Sequence, residues 1–274
     1  MSSSEPDFAY LRAVVLEESG NVLDPSRDYL FEARLKSMLH TTGLMTIRRL
    51  VSTLRDQNAA ALKRSVAEAM TVNETSFFRD ASAFELLEKE LLPGLIRGRG
   101  AVRRLRLWSA ACSSGQEPYS LAMLVGEHFA QLSSWEVQIF GTDISREMIR
   151  RARSGRYPKS ELRRGLPAHF RTKYMRSCGD EWEVVPEIRK MCHFHERNLC
   201  NGTLPLERYD GILLRNVMLY FPEEVRRRLL LEVHRMLPAD GFLLLGPSEQ
   251  PGLPEHFRAE LSANACYYRP LPVT

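Results

Sequence analysis

Four stretches of this 274-residue sequence gather side chains able to hold and orient a small charged molecule. The first, Ser109-Ala110-Ala111-Cys112-Ser113-Ser114-Gly115, is a run of small residues whose backbone a ligand can approach closely. It lacks the Gly-x-Gly-x-x-Gly spacing, and Glu117 stands at the opening of the helix that follows. A carboxylate there opposes a pyrophosphate and suits an ammonium or a sulfonium. A tight turn with a capped helix fits the same residues. The second is Asp143, closing Phe140-Gly141-Thr142-Asp143. It is placed to accept both hydroxyls of a ribose, or to cap a helix that Ser145 could equally cap. The third, Leu214-Arg215-Asn216-Val217-Met218-Leu219-Tyr220-Phe221, crowds Arg215, Asn216 and Tyr220 onto a strand end where apolar residues are the default. Asn216 satisfying loop backbone beside a half-buried Tyr220 is the purely structural alternative. The fourth, Asn73-Glu74-Thr75-Ser76-Phe77-Phe78-Arg79-Asp80, sets polar residues around two phenylalanines, as a hinge lining a cleft would.

The elements that must position these groups follow from periodicity. Phe31, Leu35, Met38 and Leu39, then Ile47, Leu50, Val51 and Leu54, recur at helical spacing, with Gly20 and Gly43 as stops. The first seventy residues therefore predict helices only. From Leu105 onward strands alternate with helices. Strands are expected at Leu105–Ser109, Val137–Phe140, Tyr209–Leu214 and Gly241–Gly246. Helices are expected from Pro118, with Leu121, Leu124, Val125, Phe129 and Leu132 on one face, and from Pro222, with Val225, Leu229, Val233, Met236 and Leu237. This alternation predicts an α/β fold with a doubly wound, mostly parallel sheet, whose ligand site lies beyond the carboxyl ends of the strands where strand order reverses. Between Tyr157 and Glu187 the alternation lapses, and Glu181–Val185 reads as a strand of a small inserted β-subdomain spanning about residues 157–190. The expected organisation is a helical domain over 1–72, a hinge over 73–103 that contributes to the site, and a catalytic domain over 104–274.

Composition narrows the class. Hydrophobic residues at 44% exclude wholesale disorder, and no apolar run reaches the roughly 18 residues of a membrane span. The opening Met-Ser-Ser-Ser-Glu-Pro-Asp offers neither a basic nor an apolar region, which predicts no secretory leader. Five cysteines without framework spacing point to a reducing cytoplasm. The net charge of +4 falls short of a nucleic-acid footprint. Its distribution is uneven, with eight Lys/Arg against three Asp/Glu in residues 27–64, and one against five in residues 1–26. The basic segment is a candidate docking surface or a solvated helix face. Cys192, His193, His195 and Cys200 match no zinc spacing, and strand alternation points Cys192 and His193 to opposite faces, so no metal is expected. Cys112 has no recognisable base beside it, and Arg226-Arg227-Arg228 reads as a wet helix face.

Taken together, Asn73–Arg79, Trp108–Ser120, Thr142–Ile144 and Arg215–Phe221 resemble, in order, the Asn-Glu-Thr-x-Phe-Phe-Arg, Trp-Ser-Ala-x-Cys-Ser-x-Gly-x-Glu-Pro-Tyr-Ser, Thr-Asp-Ile and Arg-Asn-Val-x-x-Tyr-Phe motifs of the CheR-type chemoreceptor methyltransferases. The resemblance implies a Rossmann-like class I fold and a cytoplasmic protein-glutamate O-methyltransferase. Such an enzyme moves a methyl group from S-adenosylmethionine to glutamates on the helical bundle of chemoreceptors and releases S-adenosylhomocysteine. Carried over by position, it implies cofactor contacts from Asn73, Thr75 and Arg79, with Glu117 at the methionine end and Asp143 on the ribose. Asn198 and Leu199 would border the adenine, and Arg215 and Asn216 would close the site. Arg79 and Tyr220 would be the catalytic pair, with Tyr220 near the transferred methyl. It also implies that the basic helical domain helps grip an acidic receptor.

Two departures stand out. Where the family often has Gly-His-Ser-Glu, this chain has Gly246-Pro247-Ser248-Glu249, and Met175–Glu181 is short for the loop that binds a receptor C-terminal pentapeptide. A pentapeptide-independent monomer, without nucleic-acid partner or membrane insertion, is the expectation. The alternatives are a nucleic-acid methyltransferase, against which Arg215-Asn216-Val217 stands in place of an Asn/Asp-Pro-Pro-Tyr-like segment, and a regulatory module that binds S-adenosylmethionine without turnover.

Overall fold

A computed structural model describes residues 5–56, 58–200, 207–262 and 265–272. The opening residues 1–4, part of the stretch read as lacking a leader, lie outside them. Four helices come first: α1 (Glu5–Ser19), α2 (Tyr29–Thr41), α3 (Ile47–Leu54) and α4 (Ala60–Met70). The Thr46 hydroxyl caps α3 by accepting from the Arg49 amide. The predicted stripes meet in one core, where Leu11, Val15, Phe31, Leu35, Leu50, Leu54 and Val66 are buried together. Met38 sits at its edge. Arg34 donates to the carbonyls of Met70 and Thr71 at 2.9 Å each, satisfying acceptors at the end of α4.

The stretch read as a hinge is mostly helical. Residues 71–80 and 100–103 are irregular; between them α5 (Ala81–Leu86), a π-turned segment (Leu87–Leu91) and α6 (Leu92–Arg99) run without a break. The reason is apolar periodicity, since Phe84, Leu87, Leu91, Leu92 and Leu95 are buried against the sheet.

The main sheet comprises β1 (Arg104–Ala110), β2 (Glu136–Asp143), β6 (Cys192–Glu196), β7 (Gly211–Leu214), β8 (Phe242–Leu245), β9 (Phe257–Ser262) and β10 (Ala265–Pro270). Their order is β6-β2-β1-β7-β8-β10-β9, parallel from β6 to β8 and antiparallel at β10 and β9. The chain runs outward from β1 through β2 to β6, then crosses back to β7, so strand order reverses beside β1. Helices α7 (Gln116–His128) and α8 (Arg146–Ser154) cover one face, and α12 (Glu223–Met236) the other. The predicted run through Phe129 and Leu132 is cut short. Phe129 leaves helical geometry (φ −128°, ψ 57°), and a 3-10 turn, Ala130–Ser134, carries Leu132 into the core. The C-terminal hairpin β9–β10 was not among the expected elements.

Between α8 and β6 the insert folds as β3 (Arg156–Pro158), α9 (Lys159–Leu162), α10 (Ala168–Tyr174), β4 (Met175–Cys178), β5 (Glu181–Val184) and α11 (Pro186–Arg189). Its three strands form an antiparallel sheet, β3-β5-β4, with the strand expected at 181–185 in the centre. Cys178 pairs with Glu181, leaving only Gly179-Asp180 as the turn, and Gly179 at φ +64° supplies the positive φ that a tight hairpin requires.

One polar tie fixes α6 to the sheet. Arg99 forms a bidentate pair with Asp240 (2.7 and 2.8 Å) and donates to Asp210 at 2.6 Å, whose other oxygen accepts the Arg106 amide. The hydrogen bond from Arg99 holds the Asp240 carboxyl below its usual range. Arg99→Ala should cost about 1–2 kcal/mol at pH 7, a figure reduced for the exposure of Asp240. A depressed carboxylate stabilises the fold above its unfolded pKa and loses that contribution as pH falls through the folded value. The gap in Tm between wild type and Arg99→Ala should therefore be largest near neutrality and shrink below about pH 4, as thermal unfolding across pH would report.

Candidate active site

A cleft enclosing, with its open mouth, about 870 Å³ lies over the carboxyl ends of β1, β2 and β7, at the reversal of strand order. All ten residues singled out from the sequence line it: Asn73, Thr75, Arg79, Glu117, Asp143, Asn198, Leu199, Arg215, Asn216 and Tyr220. Ser19 and Asn21, which sequence reasoning missed, join them from the end of α1.

At its floor Arg215, whose side chain is 2% exposed, binds the hinge to α7. Its guanidinium donates to Glu117 (2.8 Å), to Asp80 (2.5 Å) and to the Arg79 carbonyl (2.9 Å). Glu117 also accepts from the Ser109 hydroxyl at 2.7 Å. Each Glu117 oxygen thus has one donor and, like any carboxylate, keeps further acceptor capacity. Within this cluster two carboxylates share one guanidinium, leaving one negative charge in a sheltered site. Arg215 braces the walls, and its buried Nε has no hydrogen-bond partner.

Asp143 ends β2 fully enclosed. One oxygen accepts from the Ser113 amide (2.8 Å) and the other from the Ser145 amide (2.9 Å). Burial pushes its carboxyl up, and the amides of Ser145, Ser113 and Ile144 pull it back. Ser145, whose hydroxyl accepts from the Met148 amide, is the residue that caps α8. Asp143 is thereby released from the capping role, and a carboxylate with two donors keeps lone pairs for two hydroxyls. Ser113 turns its own hydroxyl to the Asn73 carbonyl at 2.8 Å, joining hinge to turn.

The residue that reading from the sequence missed is Glu249. Nearly buried, its carboxylate accepts four amides: Gly246 (2.9 Å), Asn216 (2.6 Å), Val217 (3.0 Å) and Met218 (2.8 Å). It thereby shapes the loop that presents Asn216 and Tyr220. Gly246 is required because a Cβ there would lie 2.7 Å from both Glu249 and the Asn216 amide nitrogen Nδ2. The available signal is an acidic residue four positions after an all-apolar strand.

The remaining groups close the cleft from above. Arg79 donates to the Glu74 carbonyl at 3.1 Å. Asn198 donates from its amide to the Glu18 carbonyl (2.5 Å), and the Val22 amide donates to the Tyr220 carbonyl (2.9 Å), so the end of α1 is stitched over the site. Five of the seven non-glycine residues with positive φ among the described residues are Phe78, Asp80, Ala111, Ser113 and Asn216. Such backbone costs about 1–3 kcal/mol per residue and concentrates where a fold over-determines a ligand site. Cys112 beneath it is buried, its thiol pushed well up by burial and by Asp143 and Glu117, which removes it as a nucleophile. On β6, Cys192 is buried while His193 and His195 lie against Phe140, so these groups do not converge. Arg226, Arg227 and Arg228 are all exposed as expected, and Arg228 also donates to the Cys200 carbonyl.

These features fit a nucleoside that carries a positive charge: diol acceptors at Asp143, residual negative charge at Glu117–Asp80–Arg215, and small-residue backbone between. Comparison with known proteins agrees. The family described as "CheR methyltransferase, SAM binding domain" matches residues 73–265. Chemotaxis protein methyltransferase 1 of Pseudomonas aeruginosa is 38% identical over 275 residues, covering 98% of this chain and 99% of that protein. Chemotaxis protein methyltransferase Cher2 of Pseudomonas putida is 36% identical, covering 94% and 95%. A chemotaxis protein methyltransferase of Borreliella burgdorferi is 32% identical, covering 90% and 88%.

Glu249→Ala strands four amides and should cost about 3 kcal/mol, or roughly 6–12 °C in Tm, with Glu249→Gln intermediate. Calorimetric unfolding of the two variants measures this; an unchanged Tm for Glu249→Ala would contradict the bracing role.

Proposed function

This chain belongs to the CheR methyltransferase family, and from that premise we propose that it transfers a methyl group from S-adenosylmethionine to glutamate side chains on the cytoplasmic helical bundle of chemoreceptors, forming methyl esters. The observation that supports the reading is the buried Arg215–Glu117 pair, tied to Asp80 of the hinge, at the floor of a cleft that also holds the buried Asp143 carboxylate.

Bound S-adenosylmethionine supplies a methyl group already activated by its positive sulfur. Asp143 holds the ribose, Asn198 and Leu199 border the adenine, and Asn73, Thr75, Glu117, Arg215 and Asn216 complete the cofactor's surroundings. A glutamate has a pKa near 4.3, so the acceptor arrives ionised and no general base is needed. Arg79 and Tyr220 orient it and move no proton. Their contribution is alignment and exclusion of water, which can equal an effective molarity of about 10⁵–10⁸ M.

The partner reading rests on charge. Of the eight basic residues in 27–64, Arg34 is committed to α4 and Arg64 pairs with Glu196, while Arg27, Lys36, Arg48, Arg49 and Arg55 are exposed. That leaves a smaller basic face than the count suggests, still suited to an acidic bundle. The two-residue β4–β5 turn supports independence from a receptor pentapeptide, since it offers no loop to clasp one. A cytoplasmic monomer meets these requirements, and no helix among the described residues is long and apolar enough to cross a membrane.

Incubation with radiolabelled S-adenosylmethionine and receptor-bearing membranes should give base-labile label on receptor protein; label on nucleic acid, or cofactor binding without transfer, would overturn the assignment. Arg79→Ala should lower kcat at least 100-fold, and near-normal turnover would contradict its orienting role. Titration calorimetry with a receptor C-terminal pentapeptide should give no heat at micromolar concentrations.

A further inference from the structure

The largest excess of positive charge lies outside the helical domain. Residues 146–190 carry thirteen Lys/Arg against six Asp/Glu, a net +7. Four of these cations, Arg150, Arg151, Arg156 and Arg189, have carboxylate partners within α8 and the insert. The turn after α9 is the one that reaches a residue of the cleft. Arg163 and Arg164 are both exposed, and Arg163 has no ion pair among the described residues. Arg164 reaches out of the insert to Glu74 of the hinge at 2.8 Å. Glu74 lines the cleft, and its carbonyl accepts from Arg79. The turn is pinned in place, because the next residue, Gly165, packs so closely that a Cβ would lie 2.1 Å from the Phe77 carbonyl oxygen.

We propose that the Arg163–Arg164 turn is a second docking contact for the acidic helical substrate, with Arg164 exchanging Glu74 for a carboxylate of the partner. The proposal rests on the receptor-glutamate reading given above. Its chemistry is that of an exchangeable pair. Both side chains of Arg164–Glu74 are about two-thirds exposed (63% and 65%), and such pairs contribute only about 0–1 kcal/mol. Replacing one carboxylate by another therefore costs little. Arg79 and Arg164 meet the same residue, one through its backbone and one through its side chain, so they are separated by roughly the length of that residue. A helix rises about 5.4 Å per turn. Arg164 thus reads an acidic residue one or two turns from the glutamate that Arg79 orients, and selects glutamates with an acidic neighbour on the same face. A lipid surface would meet the same charge but would bring no helical row of carboxylates to the cleft.

Methylation of an isolated cytoplasmic receptor fragment tests this with R163A/R164A, R163E/R164E and R164K. The alanine pair should raise KM for the fragment about tenfold and the glutamate pair further, with kcat within twofold and cofactor affinity by calorimetry unchanged. The dependence of KM on salt should weaken in both, and R164K should recover most of the wild-type KM. Wild-type KM and salt dependence in R163E/R164E would overturn the proposal while leaving the substrate reading intact. A wild-type protein that binds the cofactor yet leaves the fragment unlabelled overturns that reading and the proposal with it. Loss of binding to phosphatidylserine vesicles in the glutamate pair, with receptor KM unmoved, would assign the turn to a lipid surface and overturn it as well.

Discussion

Everything about the cleft depends on one buried guanidinium. Arg215 directly follows β7 and ties the first turn of α7 to the irregular hinge through Glu117, Asp80 and the Arg79 carbonyl. A buried cation needs compensating charge. Here it receives two carboxylates rather than one. The same contacts fix where the hinge crosses the sheet, and so where Arg79 must stand. Structure and electrostatics are set by a single arrangement.

Around that cluster the fold shapes backbone more than it presents side chains. Asp143 and Glu249 each take amides from loops that would otherwise be free, one between β1 and α7, the other after β7. Both loops hold non-glycine residues at positive φ, an unfavourable state the carboxylates help stabilise. The result is a preorganised surface, in keeping with a reaction whose nucleophile is ionised before it arrives and whose barrier responds to alignment. Closure by the end of α1, through Asn198 to Glu18 and Val22 to Tyr220, makes the helical segment part of the site's wall.

The distribution of charge follows the same division. The cleft lining balances Glu74, Glu117 and Asp143 against Arg79, Arg197 and Arg215, whereas the exposed faces of the helical segment and the insert are basic. Under the proposed function the cofactor would enter the cleft and an acidic macromolecule would meet the outside, so the two would not compete for one surface.

Periodicity and local chemistry, which the chain carries in its order of residues, determined the strands, the helices, the parallel sheet and the small-residue turn. They also singled out Asp143, Arg215 and the polar hinge, because a charged residue at the end of an apolar strand is conspicuous in one dimension. Other features depended on packing between segments distant in sequence. Residues 81–99 became helix because their leucines found the sheet, not because a linker pattern forbade it. Glu117 faced Arg215, 98 positions away, so its partner could not be read from its neighbours. Glu249 was invisible as a support since the amides it satisfies belong to another strand's loop. Ser19 and Asn21 entered the cleft only because α1 folds back across it. Side-chain periodicity is a local property, but hydrogen-bond satisfaction in a buried site is a property of the assembled interior, and that part was decided by the tertiary structure alone.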